Sequence, residues 1–178
     1  MKKIIWIYGL AAGFISTIGY IVMLLVGETN FDEGMENGMI YGFAAMIAAF
    51  SLIFVATIKY RKKNGGVLSF GKAFLIGLYI SLIASTIYVG VWLFNYYSFY
   101  PDFADKYAAY QIEQMEKKGE PKAEIEAKRI EMAKFAENYK NPFFAGIVTY
   151  VEILPLSLII SLVSAAALRR KDKNPALT

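Results

Sequence analysis

The chain has 178 residues, 57% hydrophobic and 19% charged, with a formal charge of +4. A soluble domain is nearer half apolar with about a quarter of its residues charged, so the composition shifts this single domain, 1–178, towards the membrane class. Cysteine and histidine are both absent, which excludes disulfides, thiolate metal sites and cysteine nucleophiles and removes the commonest general base near neutral pH. The sequence therefore implies no cofactor and no metal site, and it reads as a non-enzyme.

Four apolar runs are long enough to cross a hydrocarbon core, which takes about 20 helical residues. The first, residues 4–26, is too long for a signal-peptide core and has no small-residue cleavage site after it, so it reads as a retained helix. An acidic loop, 27–38, follows with Glu28, Asp32, Glu33 and Glu36 and no basic residue. The second run is 39–58, and a basic loop carries Lys59, Arg61, Lys62, Lys63 and Lys72. The third is 74–97, whose end merges into Tyr96, Tyr97, Phe99 and Tyr100, the composition of an interfacial aromatic belt.

An insertion, 98–141, has nine acidic and eight basic residues and is nearly neutral. Asp102 to Lys118 is rich in helix formers, Gly119 ends that stretch, and Pro121 stands where a second helix begins, running to Tyr139 before Asn141-Pro142. Phe103, Tyr107 and Tyr110 share one helical face, and Ile125, Met132, Phe135 and Tyr139 another. Glu113/Lys117 and Glu124/Lys128 are i,i+4 pairs worth about 0.2–0.5 kcal/mol each. The insertion reads as a helical hairpin whose charged face is solvated or docks a partner. The fourth apolar run is 143–168, interrupted by Glu152 and Pro155.

Lys and Arg orient these runs. Lys2, Lys3, the five basic residues of 59–72, and Arg169, Arg170, Lys171 and Lys173 make eleven positive charges against one acid, Asp172. That side is cytoplasmic, so both termini are inside, and 27–38 and the insertion are outside. The fold expected is all-α: an integral membrane four-helix bundle with an extracytoplasmic hairpin between helices three and four.

The stretch Gly65-Gly66-Val67-Leu68-Ser69-Phe70-Gly71-Lys72-Ala73-Phe74, with Tyr107-Ala108-Ala109, Tyr139-Lys140-Asn141-Pro142 and Glu152-Ile153-Leu154-Pro155, resembles the signature of the bacterial membrane family known as domain-of-unknown-function family 4199. The resemblance covers nearly the whole chain with its elements in order. It implies a small four-helix inner-membrane protein of Gram-negative bacteria and no particular activity.

Two constellations bear on chemistry. Gly66 to Lys72 fits G-x-x-x-x-G-K, but a phosphate-binding loop needs Ser or Thr next, where Ala73 stands, and a strand before it. No nucleotide and no nucleic acid is expected there. The segment reads as a glycine-loosened turn whose Val67, Leu68 and Phe70 dip into the inner interface. Lys59, Arg61, Lys62, Lys63, Lys72, Arg169, Arg170 and Lys171 meet anionic headgroups.

Glu152 is the one carboxylate inside an apolar run, nine residues beyond Phe143 or roughly 13 Å along the helix. Pro155 removes the amide donor to the Val151 carbonyl, and Ser157, Ser161 and Ser164 continue a polar stripe. Tyr20, Tyr41 and Asn95 lie near the same depth and are the partners expected for Glu152. The carboxyl group is either a protonatable site that relays protons or binds a cation, or a neutral acid that hydrogen-bonds these groups and fixes packing. Gly9/Gly13/Ser16, Ala44/Ala48, Ala45/Ala49 and Ser81/Ser85 are small-residue pairs for close helix approach, within the bundle or between copies. The function expected first is a non-catalytic accessory or structural membrane protein in the lipid bilayer, with a homo-oligomer or another membrane protein as partner. The alternative is a small proton- or cation-linked transporter working as an oligomer around Glu152.

Overall fold

The structure, a computed structural model, describes residues 1–18 and 31–170, and of 31–40 the backbone alone. Tyr20, Lys171 and the end of the first apolar run lie outside the described residues. Among the described residues there are six helices and no strand: α1 (Lys2–Ser16), α2 (Phe31–Lys63), α3 (Phe70–Phe99), α4 (Phe103–Lys117), α5 (Lys122–Tyr139) and α6 (Pro142–Leu168). Three helices are long and apolar enough to cross a membrane: α2 over Tyr41–Lys63, α3, and α6.

Local chemistry explains the helix ends. Ser69 caps α3 by accepting from the Lys72 amide, and Asn141 caps α6 by accepting from the Phe143 amide, with Pro142 in the first turn. Gly119, with a φ of +71°, turns the chain between α4 and α5 in a conformation that a side chain would strain. The acidic segment expected as a loop is different. Phe31 is already helical, so most of 27–38 belongs to α2, and the helix outruns its apolar part.

The centre of the molecule is α3, which touches α1, α2 and α6. Buried Phe50, Ile53, Ile76, Ile80 and Ile153 form the core with small residues Ala12, Ala49, Ala56 and Ala84. The hydroxyl stripe of α6 faces inward: Ser157, Ser161 and Ser164 are fully buried, with Ser161 Oγ 3.3 Å from Ser81 Oγ and Ser164 Oγ donating to Thr57 Oγ1 at 3.4 Å. The large apolar residues Phe43, Ile47, Leu82, Phe143, Ile147, Val151, Ile159 and Val163 are exposed. Small and hydroxyl-bearing residues at the helix contacts, with large apolar side chains left on the outside, suit a surface that faces lipid and that water would penalise.

Leu68 corrects a second expectation. It is 1% exposed and packs with Ala73 and Ala165, so it enters the protein and not the interface. The cause is a clasp in which the Leu68 amide donates to the Arg170 carbonyl at 2.9 Å and the Arg170 amide donates back at 2.8 Å. Within the hairpin region Glu113 pairs with Lys117 at 2.8 Å, whereas Lys128 turns away from Glu124 to Glu131 at 3.0 Å. Exposed pairs of this kind differ by tenths of a kcal/mol (about 0.2–0.5 each), so either partner serves.

The glycines of α1 set its distance from α3. A Cβ on Gly9 would lie 2.9 Å from Ile83 Cβ, and one on Gly13 would lie 2.6 Å from Ile87 Cδ1. Gly13→Val should therefore overpack this seam and cost about 1–3 kcal/mol. Gly90→Val, where a Cβ meets nothing within 4 Å, is the matched control. The check is the thermal midpoint in detergent, and equal midpoints for the two variants would refute the close approach.

Candidate functional site

One face of α6 is buried through Thr149, Ile153, Ser157 and Ser164, and the opposite face is exposed through Phe143, Ile147, Val151, Pro155 and Ile159. Glu152 lies on the exposed side of the boundary and makes no hydrogen bond or ion pair among the described residues. The helix is continuous through Pro155.

The register against α3 follows from Tyr150 Oη, which donates to Thr86 Oγ1 at 2.8 Å. Asn95 stands nine residues beyond Thr86, roughly 13 Å further along the α3 axis. Asn95 is buried, donates to the Val91 carbonyl at 2.9 Å, and leaves its Oδ1 without a partner among the described residues. Tyr41 is 69% exposed at the start of the apolar part of α2. The structure does not bring Asn95 or Tyr41 to Glu152, and Tyr20 lies outside the described residues.

What the structure does assemble is a junction between the spanning helices and the helix pair. Trp92 Nε1 donates to Tyr139 Oη at 2.8 Å. Tyr139 Oη lies 3.4 Å from Thr149 Oγ1, and Thr149 Oγ1 donates to the Ala145 carbonyl at 2.8 Å. Because the Thr149 proton is spent on Ala145, Tyr139 is the donor to Thr149. The relay runs Trp92, Tyr139, Thr149, Ala145, crossing from α3 through the last turn of α5 into α6. Tyr97 Oη donates to the carbonyls of Tyr139 and Lys140 at 3.2 and 3.1 Å, satisfying the end of α5.

Rings fill the space around this relay. Phe103 of α4 meets Trp92 edge-on at 4.9 Å, Tyr96 meets Tyr139 at 5.1 Å, and Phe135 meets Tyr139 at 5.2 Å. Such pairs add about 0.5–1.5 kcal/mol each beyond their area. Reading the sequence by segments placed Tyr96 in a belt and Tyr139 on a helix face without joining them. The i,i+4 pairs Trp92/Tyr96, Phe103/Tyr107 and Phe135/Tyr139 were the available signal.

Burial raises the Tyr139 hydroxyl above its usual range, and the neighbouring Glu152 and Tyr97 raise it further, against the lowering effect of its bonds to Thr149 and Trp92.

The basic residues gather at the opposite end. Arg61 Nη1 donates to the Leu168 carbonyl at 3.3 Å, and Lys59 Nζ stands 5.6 Å over the Tyr8 ring. The segment 66–72 follows a helix, and Ser69 is occupied as a cap, so the context of a phosphate-binding loop is not the one formed here.

The sequence model of DUF4199, described as a protein of unknown function, matches residues 7–170. The chain belongs to that family. No curated protein and no solved structure matches it. The elements just described, from α1 to the clasp at Arg170, are thus a DUF4199 domain with three helices able to span a membrane.

Tyr139→Phe keeps the ring and removes the hydroxyl that accepts from the Trp92 N–H and donates to Thr149. Losing these bonds should cost about 0.5–1.5 kcal/mol each, read as a lower thermal midpoint in detergent. Alkali should have a matching effect. The folded Tyr139 holds its proton more tightly than the unfolded chain does, so stability is full below about pH 10. It falls as pH rises from there through the higher folded value. A midpoint that falls less steeply above that pH in Tyr139→Phe than in the native protein is the expected sign, and equal slopes would contradict it.

Proposed function

We propose that this DUF4199 protein is a non-catalytic, multi-pass protein of the bacterial inner membrane that holds another membrane protein. In this reading four helices cross the bilayer, both termini are cytoplasmic, and the α4–α5 hairpin stands outside. The observation that carries it is the junction at Trp92, Tyr139 and Thr149. A hairpin tethered by loops alone would be a mobile appendage, whereas one bonded to α3 and α6 and packed with rings presents a fixed surface. That surface includes Ile130, 66% exposed on α5 among ion-paired neighbours such as Arg129, which reaches Glu116 at 3.3 Å. An isolated apolar residue in a polar, preorganised setting suits a docking contact.

Glu152 fits the same reading. A carboxylate on the outward face of a spanning helix costs on the order of 2.5–3.5 kcal/mol in lipid, and packing against a neighbouring helix removes that cost. The lysine and arginine bias supports the orientation, with Lys59, Arg61, Lys62 and Lys63 at the inner ends of the helices.

Absence of cysteine makes the orientation directly testable. Lys118→Cys should react with an impermeant maleimide in intact spheroplasts, and Lys63→Cys should react only after lysis; the reverse pattern overturns the topology. For function, the tagged protein purified from native membranes in mild detergent should bring down a stoichiometric membrane partner. Ile130→Asp should lower that yield about tenfold. A homo-oligomer without partner, conducting a cation flux in proteoliposomes that Glu152→Gln abolishes, would replace this reading with the carrier.

A further inference from the structure

The inner ends of α1 and α2 enclose a cleft of about 560 Å3 lined by Lys3, Lys59, Lys62 and Lys63, with Ile7 and Tyr8 on its apolar wall. No acidic residue lines it, and these lysines form no ion pair among the described residues. We infer that this cleft is a specific site for the headgroup of a doubly charged phosphodiester lipid, of the diphosphatidylglycerol class.

Four lysines lining one concavity with no acid beside them favour a ligand with more than a single negative charge, and basic pockets between helices at the inner leaflet are suited to such headgroups. Lys59 is already oriented, since its Nζ stands 5.6 Å over the ring of Tyr8, which lines the same cleft. The amides opening α1 add a weak positive field on the same side.

What favours a lipid over a soluble phosphate is the surface leading away from the cleft. Ile7, which lines it, begins a row continued by Leu10, Phe14 and Ile18 at i+3, i+7 and i+11, and all four are exposed, by 49%, 41%, 65% and 49%. These positions share one helix face. A headgroup held by the lysines would leave its acyl chains lying along this row. The inference uses the membrane placement of α1 and α2 and not the partner reading, so failure to find a protein partner leaves it standing.

The test is a titration of the full-length protein in detergent, read by thermal midpoint and by retention of bound lipid in native mass spectrometry. Cardiolipin should give a saturable rise in midpoint, and phosphatidylcholine should give none. Lys59→Ala and Lys62→Ala should each weaken cardiolipin about fivefold, while Lys72→Ala, outside the cleft, should leave it unchanged. Ile7→Gln should weaken the lipid as well. Three results would overturn the site. An equal rise with inorganic pyrophosphate would make the ligand a soluble anion. Equal weakening by Lys72→Ala would make the effect a diffuse surface charge. No saturable rise with any anionic lipid would leave no site at all. Because Lys59 and Lys62 are exposed, their variants should fold, and unchanged midpoints without lipid verify this.

Discussion

Gly77 and Ser161 bring α3 and α6 so close that a Cβ on the glycine would lie 2.6 Å from the serine oxygen. This approach is the constraint on which the other contacts depend. In hydrocarbon there is no hydrophobic drive to bring apolar helices together, so association rests on close packing and interhelical polar contacts. The serines of α6 supply both. Ser161 donates to the Ser157 carbonyl at 2.8 Å while facing Ser81, so its hydroxyl is satisfied locally before it meets the neighbouring helix. With that seam closed, Ile53 of α2 and Ile76 and Ile80 of α3 reach the same core as Ile153.

The seam also sets the register that builds the junction with the helix pair. Antiparallel contact through Ser81/Ser161 and Thr86/Tyr150 places Trp92 opposite the first turns of α6, within reach of a tyrosine ending α5. A shift of one turn, about 5.4 Å, would separate Trp92 from Tyr139 and break the relay between them. The hydrogen bonds of the junction are individually modest, but their loss is costly because the groups cannot return to water. Packing in the spanning part is thereby coupled to the position of the helix pair.

At the basic end a different physics applies. The clasp between Leu68 and Arg170 and the bond from Arg61 to the Leu168 carbonyl join the loop after α2 to the end of α6. The backbone groups are satisfied by each other, so the lysines nearby remain free for solvent or headgroups. Lys59, Lys62 and Lys63 also stand in the last turns of α2, where the negative end of its dipole favours them. The two ends of the molecule therefore differ in kind: rings and neutral hydroxyls hold one, and cations with self-paired backbone hold the other.

The sequence by itself determined the all-helical class, the family, the apolar runs of α2, α3 and α6, and the helix ends at Gly119 and Pro142, because these follow from local composition and from backbone geometry at single residues. Hydropathy marks where a helix is apolar and not where it starts, which is why α2 extends back to Phe31 through acidic residues. Only the tertiary structure decided what each polar side chain meets. Asn95 shares a general depth with Glu152 in the sequence, yet in the structure its amide donates to the Val91 carbonyl of its own helix and not to Glu152. Tyr139, distant from Trp92 along the chain, completes the relay because the antiparallel helices bring their ends together. Leu68 is apolar in an exposed-looking loop and is buried because a two-bond clasp with Arg170 folds it inward. Depth along a helix can be counted from the sequence, but rotation about its axis and register against a neighbour are fixed by packing, and those two quantities place every partner described here.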